Sequence, residues 1–103
     1  MGALIYGSTS VAIPFDDRTL AHLQVVVNAK LRRGEAFFVS WFDDPRTGSG
    51  RSAIWVSPAI PLYFRYVGGR APVLNRDWLN QLAASASSNQ GLIVQEEPAS
   101  IAP

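Results

Sequence analysis

The apolar and polar positions of this chain alternate in some stretches and recur at helical spacing in others, and the changes of period mark its elements. Residues 3 to 6 and 11 to 15 are short apolar runs separated by "GSTS", a turn composition, and predict a hairpin. The period changes in "FDDRTLAHLQVVVNAKLRRG". Leu20, Leu23, Val27 and Leu31 form one apolar stripe of a helix. Asp16 stands as its N-cap, Phe15 is placed to staple onto Leu20, and Gly34 closes the end. Three consecutive valines at 25 to 27 lower its intrinsic helicity, so packing must hold it.

Two β-rich runs in "EAFFVSWFDDPRTGSGRSAIWVSP" flank a tip dense in turn formers and predict a second hairpin. Pro58 and Pro61 bracket a corner, and "PLYFRYVGG" is expected as the third strand of that series. Asn75 caps a second helix that runs to about Ser87, and "LIVQE" at 92 to 96 is a last strand. The order ββαβββαβ is that of a single α+β domain over residues 1–97, a mostly antiparallel sheet with two helices packed on one face. Residues 98–103 are expected to form a loose tail.

Strand side chains alternate between two faces. Phe37, Val39 and Trp41, then Ile54 and Val56, then Leu62, Phe64 and Tyr66, form uniformly apolar sets that should lie under the helices. The other sets mix Phe38, Phe42, Trp55 and Tyr63 with Ser40, Ser57 and Arg65, and Arg51 stands at a strand entrance. Aromatic rings interleaved with arginine on an open sheet suit stacking on single-stranded nucleic acid. The same residue types also fill the cores of protein interfaces, so a homodimer is an equal expectation. A third reading makes Trp55 plain core.

Composition narrows the chemistry more than it names it. Nine Lys+Arg against eight Asp+Glu leave a net charge of +1, so any preference for a polyanion must come from clustering. Lys30, Arg32 and Arg33 do cluster, but in the last turn of the first helix, where cations complement the helix dipole. Phosphate contact there is a second expectation. With no cysteine, disulfides, thiolate nucleophiles and the usual structural zinc sites are excluded. No run approaches the ~20 apolar residues of a membrane helix, and a cytoplasmic protein is expected. His22, the one histidine, is placed on the polar flank of its helix, and no carboxylate pair has a defined separation. The loops "GSGR" (48–51) and "GGR" (68–70) could cradle an anion with their backbone N–H groups, although neither opens a helix. No cofactor and no small-molecule substrate are expected.

Together, "DDRTLAHLQVVVNAKLRRGEAFFVSW", "GRSAIWVSPAIPLYFRY" and "LNRDWLNQLAASASSNQGL" resemble a family of bacterial proteins of unknown function, each about as long as this chain. The resemblance runs from about Leu4 to Glu97. Members often carry the label "ATP-dependent DNA ligase", which is either a propagated error or an echo of an association with DNA. An adenylating ligase needs a Lys-x-Asp-Gly motif, whereas the one lysine here stands in "KLRR". The family brings no established functional residues. The sequence therefore predicts a non-catalytic interaction module. Its expected surface is Phe38, Trp55, Tyr63, Arg65 and Arg51 with the basic edge of Lys30, Arg32 and Arg33, and its expected partner is nucleic acid or a second copy of itself.

Overall fold

The computed structural model describes residues 1–43, 46, 48 and 50–99. Its elements follow the expected order: β1 (Gly2–Tyr6), β2 (Val11–Phe15), α1 (Asp17–Arg32), β3 (Phe37–Phe42), β4 (Arg51–Val56), β5 (Leu62–Arg65), α2 (Arg76–Ala86) and β6 (Leu92–Ile93). The domain is α+β, with the strands divided between two mostly antiparallel sheets ordered β2-β1-β5 and β4-β3-β6. The expected series β3-β4-β5 is thus broken. The corner at 57 to 61 carries the chain away from β4, and β5 pairs antiparallel with β1, Leu4 opposite Phe64 and Ile5 opposite Tyr63. The last strand is shorter than expected: β6 runs parallel to β3, with Val39 opposite Leu92 and Ser40 opposite Ile93.

Both helix starts are built as the sequence implies. Asp16 accepts the Thr19 N–H at 3.2 Å, and Asn75 Oδ1 accepts the N–H groups of Asp77 and Trp78 at 3.0 and 3.3 Å. Helix α1 packs on β1 and on α2, while α2 packs on β3 and β6. Leu4, Ile13 and Phe15 from one sheet and Phe37, Val39 and Val56 from the other share a core. Leu20, Leu23, Val26 and Val27 of α1 and Trp78, Leu82 and Ala86 of α2 complete it. Phe15 meets Trp41 edge-on with centroids 5.6 Å apart, one of the contacts between the two sheets. The expected tail begins tied down: Pro98 O accepts from the Asn75 side-chain amide at 3.0 Å, and residues 100–103 lie outside the described residues.

Candidate interaction surface

Hydrogen bonding sets the face that β3 and β4 turn outward. Asp43 N–H donates to Gly50 O at 2.9 Å, which makes that pair hydrogen-bonded and the next, Phe42 opposite Arg51, non-hydrogen-bonded. Alternation then makes Ser40 opposite Ala53 and Phe38 opposite Trp55 non-hydrogen-bonded as well. Side chains approach most closely in such pairs. Phe38 and Trp55 meet edge-to-face with ring centroids 5.0 Å apart. They remain 50% and 45% exposed, and Phe42, further along the same face, is 73% exposed. The alternation expected of the sequence therefore holds, and Trp55 is not core.

Tyr63 and Arg65 share no sheet with them. They lie on the outer face of the β2-β1-β5 sheet, Tyr63 opposite Ile5 and Arg65 opposite Ala3, with the Arg65 guanidinium 5.4 Å from the Tyr63 ring centroid. The single surface drawn from the sequence becomes two faces, Phe38–Trp55–Arg51 and Tyr63–Arg65. The Tyr6 hydroxyl links their sheets by donating to the outward-pointing carbonyl of Trp55 on the β4 edge.

The basic edge is organised by a residue that the sequence reading passed over, Glu35. Gly34, with φ +74°, donates to Leu31 O at 2.9 Å, and Glu35 N–H donates to Lys30 O at 3.2 Å. This double closure is a Schellman motif, and it brings the first and last of its residues side by side. Lys30 Nζ lies 3.0 Å from Glu35 Oε2, and Arg33 Nη1 lies 3.9 Å from Oε1. The Lys30 side chain is only 14% exposed and lies 5.7 Å from the ring of Phe37, whose side chain points to the face opposite Phe38. Lys30 is therefore not part of the aromatic face. Arg32 is exposed at the helix end. A glutamate just after a C-terminal Gly was the signal available for this pairing.

The "GGR" loop does cradle an anion, and that anion is a side chain of the protein itself. Asp17 accepts Val67 N–H at 3.0 and 3.1 Å and Gly68 N–H at 2.7 Å. Those backbone hydrogen bonds, Gly68's first, hold the Asp17 carboxyl below its usual range. Of the "GSGR" loop, residue 49 lies outside the described residues.

His22 departs from the expected polar flank, because it is fully buried. Its Nδ1 lies 2.7 Å from Arg18 O, and its Nε2 accepts the Asn75 backbone N–H at 2.8 Å. The carbonyl can only accept and the amide can only donate, so the ring is the neutral Nδ1–H tautomer. Its ring also packs on Trp78, centroids 4.4 Å apart. Around this node Arg18 makes a two-pronged pair with Glu97 at 2.6 and 2.7 Å, and the Asn75 amide donates to Glu97 at 3.0 Å. Among the described residues no three His, Asp or Glu side chains are grouped to hold a metal ion, and no helix is long and apolar enough to cross a membrane.

No curated protein and no solved structure matches the chain. A family model described as "Domain of unknown function (DUF7882)" matches residues 1–97, which span every strand and helix described above. That description names no activity and gives no support to a ligase label. By this match over nearly its whole length, the chain belongs to that family of domains of unknown function.

Proposed function

We propose that the chain is a non-catalytic interaction module that pairs with a second copy of itself through the outer face of β3 and β4. The observation that carries this reading is the Phe38–Trp55 pair, two large rings packed on each other and still about half exposed. Phe42 extends the same face, and Ser40 and Ala53 between the aromatic ends leave it low enough for a partner's rings to enter. Large aromatic side chains are among the residues that carry most of the energy of an interface. A net charge of +1 sets little repulsion against a second copy. Catalysis finds little support, since the one histidine is buried with both ring nitrogens engaged.

Single-stranded nucleic acid is the second reading, and it is favoured by arginine beside exposed rings: Arg51 opposite Phe42, and Arg65 over Tyr63. It ranks second because Glu35 engages two of the three helix-end cations, Lys30 and Arg33. Titrating a labelled single-stranded oligonucleotide at low and moderate salt separates the two. Self-association predicts no binding, whereas saturable binding that weakens steeply with salt would move nucleic acid to first place.

A further inference from the structure

A cleft of about 440 Å³ lies between the outer flank of α1 and the loop that joins β5 to α2. That volume is in the range of small-molecule sites. The loop has no helix or strand of its own, yet α1 holds it at both ends. Asp17 holds Val67 and Gly68, Arg18 Nη1 donates to Val73 O at 2.8 Å, and His22 receives the Asn75 N–H. The Tyr66 hydroxyl adds a bond to Gln24 Oε1 at 2.6 Å. These hydrogen bonds fix both ends of an irregular loop and leave open space between its middle and α1. Walls fixed at both ends lower the ordering cost of taking up a ligand.

Its lining defines the ligand. Val25 and Leu74 leave apolar surface exposed there, and Pro72 lines the same cleft. The polar side is rich in donors. Tyr66 takes up the Gln24 carbonyl oxygen, which leaves the Gln24 amide hydrogens to the cleft, and Asn28 adds a second amide. Arg70 supplies a guanidinium for which the described residues provide no carboxylate partner. Asp17 also borders the cleft, but its oxygens are turned to Val67 and Gly68. One cation, amide donors and an apolar wall match a ligand with a single negative charge and an apolar body. The Asp17 charge disfavours a second anionic group.

We propose that this cleft binds a small monocarboxylate, its carboxylate on Arg70 and its apolar part against Val25 and Leu74. The site is separate from the Phe38–Trp55 face and does not depend on self-association. The test is amide chemical-shift mapping with phenylacetate at the millimolar concentrations where weak sites fill, with phenylacetamide as the uncharged counterpart. Saturable shifts confined to residues 21 to 28 and 66 to 74 are expected. Affinity should fall at least about tenfold for phenylacetamide, and equally for Arg70→Gln with phenylacetate, as loss of one charge-assisted hydrogen bond implies. Arg70 is exposed, so the variant should keep the wild-type spectrum without ligand. The proposal is overturned if phenylacetate gives no saturable shifts, if the amide binds as well, if Arg70→Gln binds undiminished, or if the shifts centre on β3 and β4.

Discussion

His22 Nε2 accepts the backbone N–H of Asn75 at 2.8 Å, so the one histidine of the chain joins the second turn of α1 to the N-cap residue of α2. Asn75 in turn caps α2 and holds Glu97 and Pro98 with its amide group. Removing the ring's acceptor leaves the Asn75 N–H buried without a partner. His22→Leu keeps much of the volume but neither hydrogen bond, and should cost about 1–3 kcal/mol. Urea unfolding measures this; a midpoint unchanged from wild type would mean that the node contributes little.

The acid limb of stability should report on Glu97. The Arg18 guanidinium and then the Asn75 amide hold its carboxyl at about 2, against the usual 4.5. A carboxyl lowered on folding adds stability above its unfolded value, and that stability is lost as pH falls from 4.5 through about 2. The gap between wild type and Glu97→Gln should therefore be full near neutral pH and narrow across that window. Asp17, also lowered, is common to both proteins and cancels. Urea midpoints over a pH series provide the check, and a gap constant with pH would refute the assignment.

The turn into β6 depends on Gly91. Its φ is +81°, and a Cβ there would lie 2.6 Å from Phe38 O. Gly91→Ala should cost at least about 1–2 kcal/mol from the left-handed conformation alone, with the clash in addition. The loss should be local first, seen as faster hydrogen exchange of Val94 N–H, which donates to Ser40 O at 2.9 Å. Unchanged exchange there would show that the turn accommodates a side chain.

Glu35 should restrain the helix-end cations more than it stabilises the fold. Glu35→Gln is expected to cost only about 0.2–1 kcal/mol, the range for ion pairs near the surface. Retention on a heparin column should rise, because Lys30 and Arg33 lose their counter-charge. Equal retention would mean that Glu35 does not mask them.

How far the sequence carries this picture depends on the range over which each feature is decided. Period two within β3, β4 and β5 is local, so Phe38, Trp55, Tyr63 and Arg65 were legible as outward residues. Strand pairing is not local. Nothing in "PLYFRY" says that its partner is β1 rather than β4, and so one expected surface became two. His22 was misplaced for a related reason. The apolar stripe of α1 accounts for one packing partner, whereas α2 covers a second flank and buries His22 beside Trp78. Asp17 shows the same limit, since its bonds reach 50 and 51 residues along the chain.

Sedimentation velocity over a range of protein concentrations, on wild type and on Trp55→Ala, tests the central claim most directly. Trp55 is half exposed, so its truncation should leave the fold intact while removing a large ring from the proposed interface. The account predicts a dimer for wild type that persists at high salt, and a monomer for Trp55→Ala at the same concentrations. A monomeric wild type, or a dimer that Trp55→Ala leaves intact, would contradict it.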